Sequence, residues 1–155
     1  MKLGIISDTH DHRANVARAV DIFTEQKVEY ILHAGDIISA STAVTLAKVK
    51  NAKFVAVFGN CCRDKTVMAR EVQNHGGEIH KNIFNGEIGP LNVCMTHKPE
   101  NLGKVTENSN LDLVVFGHTH KKFVHKIGQT LVINPGTSDV VILDIDEMSI
   151  KEIPL

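Results

Sequence analysis

No sign of charge dominates this chain, no apolar run approaches the thickness of a bilayer, and no two cysteines are spaced to close a zinc knuckle. Seventeen basic residues stand against 18 acidic ones, a formal net charge of −1, so no global field draws the protein to nucleic acid or to a membrane surface. Any attraction for an anion must be local. The lack of a run of about 18 apolar residues excludes a spanning helix, and Met1-Lys2 leads straight into an apolar strand rather than a signal-peptide core. Three cysteines, an odd count without a Cys-x-x-Cys pair, make neither a disulfide framework nor a zinc site. These absences together imply a cytoplasmic protein. Internal repeats, low-complexity segments and linkers are also missing. The chain is therefore read as a single domain, 1–155, long enough to bury roughly 68–70% of its unfolded surface.

Histidine is abundant, nine residues in 155, and five apolar runs each stop at a side chain able to bind a cation. The run ending at Ser7 delivers Asp8 and His10, the run 30–34 delivers Asp36 after Gly35, and 54–58 delivers Asn60 after Gly59. The run 91–96 delivers His97, and 113–116 delivers His118 and His120. Short runs of this kind read as buried strands, and in open α/β sheets ligands gather beyond the carboxyl ends of strands.

Between the strands the spacing predicts helices. The first opens at Asp11 or His12 and runs to about Lys27, with Ala14, Ala17, Ala19, Val20 and Phe23 at three- and four-residue spacing. The second is capped by Ser39 or Ser41 and runs through Lys48 with Val44 and Ala47 inward. The third covers 64–74 and is closed by Gly76-Gly77. This alternation implies a parallel sheet with right-handed crossovers. The second half reads as strands at 78–84 and 91–96 joined through Asn85-Gly86 and Gly89-Pro90. A helix over 99–108, a strand over 112–116 and three or four short strands from 122 onward complete the chain. The architecture expected is α/β, a two-sheet sandwich flanked by helices, with every polar strand end at one rim.

Carboxylates, an amide oxygen and neutral imidazoles, with no thiolate required, suit divalent Mn, Fe, Zn, Ni or Co. Asp8 and His10 can both reach one ion. Asp36 can bind one ion with each oxygen, and Asn60 adds an oxygen without charge. Two dications against two carboxylates and a bridging hydroxide leave a net positive charge, which suits a phosphate ester attacked in line by that hydroxide.

The blocks Asp8-Thr9-His10, Gly35-Asp36, Gly59-Asn60, Thr96-His97 and Gly117-His118-Thr119-His120, in this order, resemble the calcineurin-like metallophosphoesterase superfamily. Ser7-Asp8-Thr9-His10 and Asn134-Pro135-Gly136-Thr137 are similar to its small bacterial and archaeal phosphodiesterases. The resemblance spans residues 5–137. It implies a four-layer αββα sandwich and two divalent ions, manganese foremost. Asp8, His10 and His120 would hold the first ion, Asn60, His97 and His118 the second, and Asp36 would bridge them. It also implies a hydrolase acting on small phosphate esters, most of all phosphodiesters, with nucleotides as the only nucleic-acid-like substrates indicated and a homo-oligomer compatible with it. The alternative is a non-catalytic scaffold of the same fold with a decayed site, as in eukaryotic membrane-trafficking complexes, but every ligand position is retained here.

One departure concerns the leaving group. Members of the superfamily commonly follow Gly-Asn with His-Asp or His-Glu, whereas this chain has Gly59-Asn60-Cys61-Cys62-Arg63-Asp64. A thiol is a weaker proton donor than imidazole near neutral pH. Asp36, Asn60, His118, Cys61 and Arg63 are the catalytic candidates, with Arg63 as a phosphate contact and good leaving groups as the best substrates. His33 reads as structural, and His75, His80 and His125 as solvated or packing residues. His12 could line the cleft mouth. Cys94 reads as core, Lys121-Lys122 as a solvated pair, and Asn134-Pro135-Gly136 as a turn that buttresses the rim.

Overall fold

The computed structural model describes residues 1–102 and 110–155. Its first half forms β1 (Lys2–Ile6), α1 (Arg13–Gln26), β2 (Tyr30–His33), α2 (Ala40–Ala47), β3 (Lys53–Val57), α3 (Lys65–Asn74) and β4 (Glu78–His80). The second half forms β5 (Ile83–Ile88), β6 (Leu91–Thr96), a 3-10 turn at Pro99–Asn101, β7 (Leu113–Val115), β8 (Phe123–Ile127), β9 (Thr130–Asn134), β10 (Asp139–Asp144) and β11 (Ser149–Pro154).

Six strands make one sheet in the order β11-β10-β1-β2-β3-β4, and five make the other in the order β5-β6-β7-β9-β8. β1 to β4 are parallel, with β10 and β11 added antiparallel at one side. In the second sheet β6, β7 and β9 are parallel, flanked by antiparallel β5 and β8. Both sheets are mixed, and the fold is the expected α/β sandwich.

The central strands alternate between two apolar layers, which is why they read as unbroken apolar runs. Ile6, Ile31, Phe54 and Ala56 face the helices and pack with Val16, Ile22, Phe23, Leu46 and Met68. Leu3, Ile5, Leu32, Val55 and Val57 face the second sheet and meet Val93, Met95, Leu113, Val115 and Ile133. A smaller cluster of Cys94, Leu111 and Val114 lies on the other face of the second sheet, with Leu102 packed against it. Cys94 is thus core, as its position suggested. No helix among the described residues is long and apolar enough to cross a membrane.

Several local expectations need correction. The buried face of α1 is Val16, Ala19, Ile22 and Phe23, while Ala14 and Ala17 are exposed. Alanine is a weak marker of a core face because its burial contributes little, and the larger side chains set the helix rotation. In α2 the buried residues are Thr42, Ala43, Leu46 and Ala47, with Val44 only half-buried. The single strand expected over 78–84 is two strands in different sheets, because the chain crosses between them at Lys81-Asn82. Asn85-Gly86 lies inside β5 opposite Cys94 and Val93; the hairpin reverses at Gly89-Pro90 instead, where Gly89 takes φ +57°. The helix expected over 99–108 begins as the 3-10 turn, and its remainder from 103 on lies outside the described residues.

Candidate metal centre

Every parallel strand that the sequence marked ends at the same rim. Asp8 and His10 follow β1, Asp36 follows β2, Asn60 follows β3, His97 follows β6, and His118 and His120 follow β7. Backbone bonds tie the loops together. The Asp8 N–H donates to the Gly35 carbonyl (2.9 Å), the His10 N–H to the Asp36 carbonyl (3.1 Å) and the Gly117 N–H to the His97 carbonyl (3.1 Å).

The turns are strained. Asp8, His10, Asp11, Asp36, His118 and His120 all have φ between +43° and +68°, a left-handed region that costs a non-glycine residue roughly 1–3 kcal/mol. Nine non-glycine residues have positive φ among those described, so six of the nine gather at this rim. Such concentration marks a surface shaped for binding rather than for stability. The glycines before the ligands answer to crowding. A Cβ on Gly35 would lie 2.5 Å from His97 Nδ1, and one on Gly59 would collide with the Asp36 carboxylate.

Asp8, His10, Asp36 and His120 each point one ligand atom into a common space, all within 4.8 Å of one another. His10 Nε2 and His120 Nε2 are 3.3 Å apart, His120 Nε2 is 3.4 Å from Asp8 Oδ1, and His10 Nε2 is 3.9 Å from Asp36 Oδ2. Beside this group stands a second one. His97 Nε2 lies 2.9 Å from Asn60 Oδ1 and 3.5 Å from Asp36 Oδ2. The His118 ring packs edge-on against His97, centroids 5.0 Å apart.

The hydrogen bonds around this cluster show which atoms are left over. His97 Nδ1 is 2.9 Å from the Ala34 carbonyl, an acceptor only, so Nδ1 donates there and Nε2 is the ring atom that faces the cluster. The Asn60 amide donates to Cys61 Sγ at 3.3 Å, which turns its carbonyl oxygen toward His97 Nε2. Asp36 Oδ1 accepts the Cys61 N–H (2.8 Å), and Oδ2 faces both groups. The Cys61 N–H thus fixes the carboxylate, with Oδ2 3.9 Å from His10 Nε2 and 3.5 Å from His97 Nε2.

Asp8 accepts the Ser7 hydroxyl at 2.6 Å and the His118 N–H at 3.1 and 3.2 Å. Both carboxylates are 2% exposed, and neither has a lysine or arginine partner among the described residues. Burying such charges unpaired costs several kcal/mol. Imidazole and amide groups gathered around two buried carboxylates fit bound cations, and the N and O donors fit borderline divalent metals.

The remaining candidates are placed as follows. Cys61 is exposed at the rim; partial desolvation of its thiol and the neighbouring Asp36 carboxylate push its pKa up. Cys62 is half-buried, its Sγ accepts the Gly59 N–H (3.2 Å), and burial pushes its thiol up as well. Neither environment favours a thiolate. Arg63 is exposed, its backbone N–H bonded to Ile38, and its guanidinium makes no contact with the cluster among the described residues.

His33 is fully buried; its Nδ1 accepts the Gly35 N–H (3.2 Å) and its Nε2 donates to Thr9 (3.1 Å). Burial, then repulsion from His97, pushes its pKa down to about 3. It is a neutral brace between the first two ligand turns. His12 caps α1, His75 bonds the Glu71 carbonyl, His80 pairs with Glu78, and His125 packs edge-on against Phe123. Lys122 pairs with Glu152 and Asp139 at the surface.

Asn134 carries more than a turn. Completely buried, it donates to the Gly117 carbonyl (3.1 Å) and to Thr119 Oγ1 (2.9 Å) and accepts the Gly136 N–H (2.8 Å). It thereby fixes the loop that carries His118 and His120. Its only sequence signal was an asparagine in Asn-Pro-Gly, a pattern equally at home in an ordinary turn.

Comparison with known proteins agrees with this geometry. The family model of the calcineurin-like phosphoesterase superfamily domain matches residues 1–144. A phosphodiesterase of Methanocaldococcus jannaschii is 31% identical over 166 aligned positions, covering 100% of this chain and 99% of the relative. A solved structure of a novel archaeal phosphodiesterase superimposes with a TM-score of 0.91 at 30% identity, covering 100% of both chains. Wild-type Vps29 of Entamoeba histolytica, complexed with zinc, superimposes with a TM-score of 0.70 at 18% identity over 100% of this chain and 98% of its own. That last likeness is one of fold alone.

Proposed function

The chain belongs to the calcineurin-like phosphoesterase superfamily, and on that premise we propose that it is a dinuclear metal-dependent phosphodiesterase acting on small phosphate esters. The observation that carries this reading is the convergence of Asp8, His10, His120, Asn60 and His97 donor atoms around the buried Asp36 carboxylate. Asp8, His10 and His120 would hold one divalent ion, Asn60, His97 and His118 the other, and Asp36 would be shared between them. Two such ions, manganese before iron, nickel, zinc or cobalt, supply Lewis acidity that polarises the phosphoryl group and acidifies the attacking water.

The protein's part is to fix these donors. The Ala34 carbonyl sets the His97 tautomer, the Cys61 N–H sets the Asp36 rotamer, and Ser7 with the His118 N–H sets Asp8. Partners of this kind orient metal ligands and raise their basicity. Cys61 stands where an imidazole would assist the leaving group; its raised pKa keeps the thiol neutral and a poor donor. Aryl phosphodiesters are therefore turned over faster than alkyl ones. Free cysteines suit a reducing cytoplasm. A scaffold role is not favoured, since the likeness to Vps29 is remote and the ligand set is complete.

The test is to strip the full chain with chelator, reload it with Mn, Fe, Ni, Zn or Co, and assay phosphomonoesters and phosphodiesters. The expected result is metal-dependent hydrolysis that falls at least about a hundredfold in Asp36→Asn. Inactivity with every metal, or full activity of the variant, would remove the basis for the proposal.

A further inference from the structure

A cavity of about 250 Å³ opens beside Asn60 and His97 and runs toward the crossover between the sheets. Its polar lining is Asn60, Lys65, Lys81, Asn82, His97 and Lys98, with no carboxylate. Lys65, Lys81 and Lys98 come from three separate elements: the first residue of α3, the turn between β4 and β5, and the loop after β6. None of the three forms an ion pair among the described residues, whereas Lys2, Lys53 and Lys122 are each neutralised by an acid. Lys65 sits where a helix dipole disfavours a cation, and its Nζ lies 5.4 Å from the centroid of the Phe58 ring, on the wall of the same cavity. Three lysines without an acidic partner among the described residues, lining one cavity of a nearly neutral protein, make a local anion site.

We infer that this cavity binds a second, non-scissile anionic group of the substrate, so that the preferred phosphodiesters carry a further phosphoryl group on the alcohol side. The inference rests on the phosphodiesterase reading above. The volume is below the roughly 300–1,000 Å³ of pockets that enclose a drug-sized molecule. It is ample for a phosphoryl group with a few waters. Because the wall is shared with Asn60 and His97, an anion held there lies next to the proposed reaction centre. Ammonium groups act as point charges on phosphate without demanding one geometry, so the subsite selects charge rather than a particular skeleton.

Two measurements test this. In the first, the metal-free full chain is titrated calorimetrically with pyrophosphate at low ionic strength, where surface charge is least screened. Affinity falls at least about tenfold in the Lys81→Gln/Lys98→Gln double variant, is kept by Lys81→Arg/Lys98→Arg, and is unchanged by Lys126→Gln on β8. In the second, the metal-loaded chain is given ethyl 4-nitrophenyl phosphate and its analogue with a terminal phosphonate on the ethyl group. The phosphonate ester has a kcat/KM about tenfold higher or more, and the double Gln variant brings the ratio toward one. A ratio at or below one in the unmutated chain, or pyrophosphate binding unaffected by the double variant, overturns the inference. Failure to hydrolyse either ester with any metal would instead count against the phosphodiesterase reading, and the pyrophosphate titration would still decide whether the cavity is an anion site.

Discussion

Replacing Asn134 by alanine separates the role of the rim clamp from that of the ligands it serves. The side chain is wholly buried and touches no candidate metal position, yet it holds the His118–His120 loop through Gly117 and Thr119. Its loss removes three hydrogen bonds. The Gly117 carbonyl keeps a partner in the Thr119 N–H (2.7 Å), but the buried Gly136 N–H loses the one it has. One orphaned buried donor at about 1–3 kcal/mol, together with a small cavity, gives a loss of roughly 2–4 kcal/mol in stability. The second consequence is local. With Thr119 released, His118 and His120 relax from their left-handed backbone, and metal affinity falls about 10- to 100-fold. Urea unfolding measures the first effect, and competition with a chelating dye measures the second. An Asn134→Ala chain that is less stable but binds manganese as tightly as before would refute the claim that Asn134 positions the ligands. The near-isosteric Asn134→Asp keeps the acceptor for Gly136 but buries a carboxylate against the Gly117 carbonyl, so it should be no more stable than Asn134→Ala while still losing metal.

Three further outcomes follow from the same geometry. Phe23→Ala empties the centre of the layer between the helices and the first sheet, where Phe23 is fully buried, and lowers unfolding free energy by about 3–5 kcal/mol; a loss under about 1 kcal/mol would mean that this layer is not the main core. His33 stays neutral in the folded protein until about pH 3, whereas the unfolded chain protonates it near 6.5. Its contribution to stability is therefore complete above about pH 6.5 and declines by up to about 1.4 kcal/mol per pH unit on acidification, roughly 2 kcal/mol by pH 5. Ring carbon shifts of His33 that titrate near pH 6.5 in the native state would contradict this. Manganese at about 100 times its dissociation constant raises unfolding free energy by about 2.7 kcal/mol, and chelator reverses the gain; thermal unfolding that ignores both would leave the cluster without a cation.

The strand ends were legible because chemistry and topology coincide there. A parallel strand buried on both faces must be apolar throughout, so the first polar residue after it stands out, and five such residues in register defined the rim. Rotations of the helices were less legible, since Ala14 and Ala17 carry the period of α1 without being large enough to decide its face. The change of sheet at Lys81-Asn82 left no mark, because a strand of one sheet followed closely by a strand of the other has the composition of a single longer strand. Long-range contacts were less legible. The Asn134-Pro135-Gly136 turn reads as a buttress of the rim, but nothing local shows that Asn134 clamps a loop 15 residues away, and Lys65, Lys81 and Lys98 look like ordinary surface lysines until the fold brings them to one wall.

The division of labour in the molecule leads to one last expectation. The two apolar layers lie on either side of the first sheet and contain none of the seven ligand candidates, while the rim gathers left-handed turns and two buried carboxylates with no lysine or arginine partner among the described residues. The metal-free fold is thus held together against its own site. A substitution that makes a ligand neutral should relieve that conflict while destroying the function that requires it. Asp8→Asn retains an oxygen that can accept the Ser7 and His118 bonds and removes a charge whose burial costs several kcal/mol. Without metal it should unfold at the same or a higher temperature than the unmutated chain, and with manganese it should show little of the stabilisation just described. If Asp8→Asn instead destabilises the metal-free protein by more than about 1 kcal/mol, the carboxylate is compensated within the fold, and the electrostatic argument for a cation between Asp8, His10, Asp36 and His120 fails.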